Sequence, residues 1–312
     1  IEDRSNQPFH SDDNRYWIVF NGEIYNYKEI REELENKGYS FHTSGDTEVL
    51  LQGFICYKEK ILDKLRGQFA FAIYDSIEKT TFLARDRIGI KPLYFSKYKE
   101  WIVFGSEMKT IESSKLIPFI PDTESYMTYM RHLCIPGSST GNKNISKVRP
   151  GEYVTFSKSG EIKTYKYWDP FSFEIDYEMS ESDASDELER LLIESVEYRK
   201  VSDVEVGLFL SGGLDSSLIG KLMKAGSQSK LKGFNIDYEE HFDGYKGEVS
   251  EAEYASSNID IELIKEKIAY RDFKTLLNNY SNYQDDLNGD EVGIPLYFLG
   301  KSARSKGITV VQ

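Results

Sequence analysis

The sequence has 312 residues, with 39 Lys and Arg against 52 Asp and Glu and a formal net charge of −13. This charge argues against a nucleic-acid partner, which requires clustered basic residues, and no apolar run approaches the roughly 20 residues of a membrane span. The length allows two domains. The spacing of the cysteines and histidines predicts no zinc site, and the neighbours of Cys56 and Cys134 predict buried thiols in a reducing compartment, the cytoplasm.

The first part of the chain predicts a domain with two early helices followed by several strands. An apolar strand at 16–20 runs directly into Asn21. A helix with Ile30 and Leu34 on its apolar face follows, and a second helix begins at Asp46. Further strands are predicted at 69–74, 80–84, 92–96 and 101–105. This order favours an α+β domain with layered sheets.

The second part of the chain predicts alternating helices and strands. Prolines and glycines are frequent between residues 117 and 150, around a short helix at 125–132, and indicate a connecting segment. The elements predicted after it are a helix around 188–196, a strand at 206–210, a helix from 215, a strand at 231–236, a helix at 251–257 and a strand at 308–312. Such alternation predicts a parallel sheet, with ligands beyond the carboxyl ends of its strands.

One turn in this part has the composition of a phosphate site. Ser211-Gly212-Gly213-Leu214-Asp215-Ser216-Ser217 joins the strand at 206–210 to the following helix. Two glycines let the backbone approach a bound group closely, and N–H groups at the start of a helix attract anions. Asp215 would repel a bare phosphate, but Mg²⁺ prefers carboxylate and phosphate oxygens together. The alternative is an ordinary glycine-rich turn with a serine cap.

Asn21-Gly22-Glu23 alone would favour a turn, because Asn-Gly is above all a turn dipeptide. It is, however, the beginning of the first of five stretches, at 21–26, 44–49, 65–72, 84–94 and 105–109, which we call the characteristic stretches. In order and spacing these stretches resemble the class II glutamine amidotransferase domain, most closely that of the glutamine-hydrolysing asparagine synthetases. The turn at 211–217 resembles the PP-loop of the ATP pyrophosphatases.

The resemblance implies a fold and a division of the chain. It implies an α+β layered-sheet amidotransferase (Ntn-hydrolase-like) domain at 1–115, a connecting segment at 116–180, and an α/β parallel-sheet PP-loop domain at 181–312. The family begins with a cysteine that attacks glutamine, and this chain begins with Ile1 at a position inside the domain. A glutamine-binding arginine and a later Gly-x-Gly-x-Asp-Glu loop are also absent, so we expect the chain to be truncated at both ends.

The resemblance also implies a glutamine site. Asn21 and Gly22 would donate hydrogen bonds to the oxyanion of the tetrahedral intermediate, and Gly22 would be glycine so that the substrate can come close. Glu23 and Asp46 would hold the ammonium of glutamine, and a bound cation would keep both carboxylates ionised. The implied glutamine-binding residues are Ile1, Glu2, Asn21, Gly22, Glu23 and Asp46.

An ATP site is implied in the second domain. Asp215 would hold Mg²⁺ on the pyrophosphate, while Leu210 and Ile236 would hold the adenosine, unless they are plain core residues. The implied ATP and pyrophosphate residues are Leu210, Ser211, Gly212, Gly213, Asp215, Ser216, Ser217 and Ile236.

The implied reaction is adenylation of a carboxylate acceptor, followed by displacement of AMP by ammonia from glutamine. The acceptor would be aspartate or a related acid; alternatives are a sugar, a peptide or a β-lactam precursor, and an ammonia-fed or non-catalytic glutamine-binding protein. Acidic residues cluster at 285–291 with no base closer in sequence than Lys301, so this loop is expected to repel a dicarboxylate. Homodimer formation is left open.

Overall fold

The computed structural model describes residues 6–200, 204–225, 230–239, 249–284 and 286–312. The chain divides into two compact units, Ile1–Ile175 with Asp285–Gly289 and Asp176–Gln284 with Asp290–Gln312. The domain limits expected from the sequence, after residues 115 and 180, stay predictions. Within the described ranges, no helix combines the length and the apolar character needed to cross a membrane.

The first unit contains mostly antiparallel strands. Its strands are β1 (Phe9–His10), β2 (Tyr16–Ile24), β3 (Gly67–Asp75), β4 (Thr80–Arg85), β5 (Tyr94–Tyr98), β6 (Trp101–Gly105), β7 (Ser146–Lys147), β8 (Glu152–Phe156) and β9 (Ile162–Lys166). Its helices are α1 (Tyr27–Asn36), α2 (Asp46–Tyr57), α3 (Ile61–Lys64), α4 (Met108–Ser113) and α5 (Thr123–His132), with 3₁₀ turns at Lys58–Lys60 and Pro170–Ser172.

These strands form two sheets that pack on each other. One sheet has the order β1-β2-β3-β4-β8-β9 and the other β6-β5-β7. Phe71 faces α1 and α2, whereas its neighbours Ala70 and Ala72 pack against Phe95 and Phe104 of the second sheet. Successive residues of a strand point to opposite faces, so β3 supplies both cores. The expected layered sheets are confirmed.

The Asn-Gly pair lies inside a strand and not in a turn. β2 continues past Phe20 to Ile24 and pairs with β3 throughout, with Asn21 opposite Ala70 and Gly22 opposite Phe69. Pairing with a central strand therefore overrides the turn preference of the dipeptide.

The second unit has helices on both faces of a parallel sheet. Its helices are α6 (Glu181–Lys200), α7 (Leu214–Lys224), α8 (Val249–Ile259), α9 (Tyr270–Leu277) and α10 (Gly293–Ser305), with a 3₁₀ turn at Tyr280–Asn282. Its strands are β10 (Val206–Phe209), β11 (Leu231–Tyr238), β12 (Ile261–Ile268) and β13 (Val310–Val311), in the order β12-β11-β10-β13 and all parallel. The α+β and α/β fold classes predicted for the two halves are confirmed.

One expectation about the cysteines is wrong. Cys56 is partly buried in α2, but Cys134 is exposed. Apolar neighbours in sequence did not bury Cys134, because it follows the left-handed residue Leu133 that ends α5, and Leu133 is itself exposed.

Candidate active sites

In the first unit, Asn21 and Glu23 lie on the same face of β2. Val19, two residues earlier on that face, packs between the two sheets, and alternation along the strand places Asn21 and Glu23 in the same row. Asn21 is exposed and Glu23 is partly buried. This face of the strand therefore leaves the core between the sheets at Asn21 and presents two polar side chains beyond it.

Gly22 is glycine because β3 passes close to it. A Cβ at Gly22 would lie 2.1 Å from the Gln68 carbonyl oxygen and 2.8 Å from the Phe69 Cα, both in the backbone of β3. The protein's own backbone therefore excludes a side chain at this position, and the expectation that an approaching substrate also requires the glycine stays a prediction.

Asp46 lies beside the end of β2, next to the Glu23–Ile24 peptide. It is the first residue of α2, and its Oδ2 accepts a hydrogen bond from the Ile24 N–H at 2.9 Å. The structure thus brings Asn21, Gly22, Glu23 and Asp46 together, whereas Ile1 and Glu2 lie outside the described residues.

Burial raises the pKa of the Asp46 carboxyl, and hydrogen bonds from backbone N–H groups, that of Ile24 first, oppose the rise. This carboxyl therefore takes up a proton more readily than an ordinary aspartate. A bound ammonium would favour the ionised form and oppose this rise.

This shift predicts how glutamine binding depends on pH. As pH falls towards the raised pKa, Asp46 loses the charge that attracts an ammonium, so the KM for glutamine is expected to rise at a pH above the usual aspartate range. Asp46→Asn is expected to raise KM at neutral pH by about 10- to 100-fold, the cost of a charged hydrogen bond, and to abolish the acid-side rise. The measurement is glutaminase kinetics of the full-length protein against pH.

The matched control for Asp46→Asn is Glu100→Gln, which removes one charge from an exposed turn between β5 and β6. It should keep both the KM and the pH profile of the wild type. An Asp46→Asn variant with an unchanged KM would exclude Asp46 from glutamine binding.

Ser106 is a candidate site residue that the sequence analysis did not single out, although it lies within the stretch 105–109. It follows β6, and its Oγ accepts a hydrogen bond from Asn21 Nδ2 at 3.0 Å. The two residues are 85 positions apart in sequence, so the contact follows from the packing of one sheet on the other.

Other residues of the characteristic stretches support the backbone. The buried Glu48 carboxylate accepts hydrogen bonds from the N–H groups of His42 and Thr43 and from Thr43 Oγ1, which fixes the chain before α2. The Arg85 guanidinium donates to three carbonyl oxygens, those of Gly89, Lys91 and Val148. Buried backbone groups need such partners, so these residues maintain the loops around the site.

In the second unit, the turn at 211–217 joins β10 to α7 with the backbone that its glycines predict. Gly212 has φ +85°, and a Cβ there would lie 2.3 Å from the backbone carbon of Glu251 in α8. Gly213 is the residue before α7 and has an ordinary φ of −66°. Gly212 is thus required both by its conformation and by the close passage of α8.

Two serine hydroxyls close this turn. Ser211 Oγ accepts a hydrogen bond from the Gly213 N–H at 3.2 Å and lies 3.0 Å from Ser216 Oγ. Ser216 Oγ also donates to the Gly213 carbonyl oxygen at 3.3 Å. Neither serine is the N-cap of α7. Gly213 occupies the N-cap position, and no side chain makes a capping hydrogen bond.

Asp215 is exposed in the first turn of α7, directly before Ser216 in sequence. Among the residues that the structure describes, no group of three His, Cys, Asp or Glu side chains could hold a metal ion by itself. Mg²⁺ is commonly bound by one or two carboxylates together with substrate phosphates. A single carboxylate beside an N–H-rich turn fits that mode of binding.

Leu210 and Ile236 point to opposite faces of the parallel sheet. The Leu210 side chain is only 1% exposed and packs with Met223 and Ala255 of α7 and α8. Ile236 packs with Phe209 on the α10 face. Only Ile236 keeps a partly exposed side chain, so any contact of Leu210 with a ligand would use its backbone.

Asn235 of β11 connects this strand to the residue that follows β10. Its Nδ2 donates to the Leu210 carbonyl oxygen at 2.8 Å, while its buried Oδ1 has no partner among the described residues. The side chain therefore fixes the peptide from which the turn at 211–217 begins.

Part of the acidic loop is neutralised, contrary to expectation. Asp286 belongs to the first unit, where its Oδ2 accepts hydrogen bonds from Tyr94 Oη at 2.9 Å and from Lys147 Nζ at 3.2 Å. Lys301 is the basic residue closest to the acidic loop in sequence, but Lys147 contacts Asp286 in the structure. The expectation that no neighbouring base offsets these charges is therefore wrong. Asp285 lies outside the described residues.

The fold and site of the first unit define an amidotransferase domain, and comparisons of sequence agree. The sequence model of the glutamine amidotransferase domain family matches residues 1–168, more than half of the chain. The chain belongs to this family. A second model, described as asparagine synthase, matches residues 187–312. These matches confirm the resemblance inferred from the motifs.

Individual relatives extend over both halves. The chain is 39% identical over 304 residues to asparagine synthetase [glutamine-hydrolyzing] 1 of Bacillus subtilis, covering 97% of this chain and 47% of the relative. It is 34% identical over 306 residues to putative asparagine synthetase [glutamine-hydrolyzing] 2 of Methanocaldococcus jannaschii, covering 94% and 56%. Among solved structures, it resembles the glutamine phosphoribosylpyrophosphate amidotransferase of B. subtilis with a TM-score of 0.38 and 18% identity, covering 83% and 48%. The chain spans about half the length of these two curated relatives.

Proposed function

We propose that the full-length protein containing this chain is a glutamine-dependent amidotransferase of the asparagine synthetase type. The first unit would release ammonia from glutamine. The second would use ATP and Mg²⁺ to adenylate a carboxylate, aspartate or a related acid, and ammonia would then displace AMP. The observation that carries the proposal is the succession, on one chain, of a glutamine amidotransferase match and an asparagine synthase match.

The site on β2 supports the glutamine half-reaction. The exposed Asn21 amide would donate one hydrogen bond to the oxyanion and the Gly22 N–H another, because donors fixed in place stabilise charge that develops during the reaction. Glu23 and Asp46 would hold the substrate ammonium, together with the segment at Ile1 and Glu2. In the family that this domain resembles, the nucleophile that attacks glutamine is an N-terminal cysteine.

The turn at 211–217 supports the ATP half-reaction. Backbone N–H groups at the start of α7, with the Ser216 and Ser217 hydroxyls, would bind the pyrophosphate. Asp215 would hold Mg²⁺, which neutralises the charge on the phosphates. Ile236 would contact the adenosine, and Leu210 would do so through its backbone.

Aspartate is the first acceptor to test. The pairing of Asp286 with Lys147 removes part of the negative charge that was expected to repel a dicarboxylate. A cytoplasmic location and homodimer formation stay predictions.

Product analysis tests this proposal. The full-length protein is incubated with ATP, Mg²⁺ and ammonium or glutamine, together with one candidate acceptor at a time, and the products are identified by mass spectrometry. We expect equal amounts of AMP, pyrophosphate and amidated acid, with aspartate giving asparagine. Amidation of a sugar or a peptide, or closure of a β-lactam ring, would instead assign the same architecture to a different acceptor. ADP and phosphate as products would exclude the PP-loop chemistry, and no turnover with any acceptor would favour a non-catalytic glutamine-binding protein.

A further inference from the structure

We propose that Ser106 is a positioning residue for glutamine hydrolysis, an inference that rests on the oxyanion role proposed for Asn21. The Ser106 hydroxyl accepts one of the two N–H groups of the Asn21 side-chain amide. The amide plane is thereby fixed, and its second N–H is directed to the place where the glutamine carbonyl oxygen becomes negative.

Asn21 needs such a partner because its side chain leaves the packed part of the sheet. It is exposed, and within the described part of the chain its only side-chain hydrogen bond is the one to Ser106 Oγ at 3.0 Å. An asparagine side chain without this bond would rotate about two torsions. An oxyanion donor is effective only when it is fixed before the reaction begins.

Ser106 is itself firmly held on both sides. On one side, Gly105 pairs with Tyr94 at the end of β6. On the other, α4 is anchored by the buried Met108 and Ile111. The turn between them is tight, since a Cβ on Gly105 would lie 3.2 Å from the Thr110 side chain. The second sheet thus provides a rigid support from which Ser106 reaches Asn21 on the first sheet.

The Ser106 hydroxyl also keeps its own proton available. The hydrogen bond from Asn21 occupies one lone pair of Ser106 Oγ. A serine hydroxyl carries one O–H donor besides its acceptor sites, so this donor stays available. Asn21 therefore receives a partner that accepts from it without competing for the second amide N–H.

The experiment measures glutaminase kinetics and ammonia-dependent synthesis of the full-length protein. Ser106→Ala is expected to lower the glutaminase kcat about tenfold, a part of the 10²- to 10³-fold cost of losing the donor itself, while KM changes less than twofold. Ser106→Thr keeps the hydroxyl and should recover most of kcat. Ser113→Ala removes a hydroxyl that bonds only within α4 and serves as the matched control. Ammonia-dependent synthesis should be unchanged in every variant.

A double variant separates this inference from the proposed function. When Asn21→Ala is already present, adding Ser106→Ala should have no further effect, because residues that act as a unit are not additive. A wild-type kcat for Ser106→Ala, or a full further tenfold loss in the double variant, would overturn the positioning role. A wild-type kcat for Asn21→Ala would instead overturn the proposed oxyanion site. If Ser106→Ala is destabilised, the Thr variant decides: it keeps the hydroxyl, and a kcat as low as that expected for Ser106→Ala would contradict the positioning role.

Discussion

Asp215→Asn in the full-length protein is expected to lower the rate of pyrophosphate release about a thousandfold. Asp215 is exposed in the first turn of α7, which follows directly on the turn closed by the Ser211 and Ser216 hydroxyls. Replacing its carboxylate by a neutral amide would weaken Mg²⁺ binding where the phosphates carry most charge. Loss of such a ligand costs several kcal/mol of barrier, and each 1.4 kcal/mol, roughly, is a factor of ten in rate.

Folding should be nearly unaffected by Asp215→Asn, because the side chain is exposed. The matched control is Asp186→Asn, the same substitution on the exposed face of α6, which should keep the wild-type rate. Thermal unfolding of both variants verifies the fold. Pyrophosphate release by Asp215→Asn at more than about a tenth of the wild-type rate would contradict a role of the turn at 211–217 in the reaction. The loss of one metal ligand should lower the rate far more than that.

Asn21→Ala is expected to reduce glutaminase activity by about two to three orders of magnitude, the usual cost of one oxyanion donor. Synthesis from free ammonia should survive, because that chemistry belongs to the second unit. Asn36→Ala, at the exposed end of α1, is the matched control and should leave both activities intact. Equal loss of both activities in Asn21→Ala would argue against two separable sites.

Local sequence predicted the classes of the two folds well, because hydrophobic periodicity and turn residues act over short distances. It also singled out Asn21, Glu23 and Asp46, which the structure brings together at the end of β2. The continuation of β2 through Asn-Gly could not be predicted from the dipeptide alone, since the pairing partner is β3, more than 40 residues later.

Features that depend on strand register or on sheet packing were missed or explained only in part. The glycine at position 22 is required by the Gln68 carbonyl oxygen of the paired strand. Because Phe209 pairs with Phe234, Leu210 falls opposite Asn235, and Ile236 therefore faces the other side of the sheet. A single-residue difference in register decides the face, and the sequence alone does not fix it.

Long-range polar contacts escaped the sequence analysis for a related reason. Ser106 reaches Asn21 over 85 positions, and Lys147 reaches Asp286 over 139 positions. The basic residues near Asp286 in sequence therefore do not show that its negative charge is offset by Lys147. Such pairs depend on how sheets and loops pack, and not on spacing within a motif.

The transfer of amide nitrogen tests the central claim most directly. The full-length protein is given glutamine labelled with ¹⁵N in its side-chain amide, together with unlabelled ammonium, ATP, Mg²⁺ and the acceptor acid. Product isolated with and without ATP is then analysed by mass spectrometry. The account predicts ATP-dependent formation of product carrying ¹⁵N, and loss of that label in Asn21→Ala while unlabelled product is still made. Product that never contains ¹⁵N, or labelled product formed equally without ATP, would contradict a glutamine-dependent amidotransferase with two coupled half-reactions.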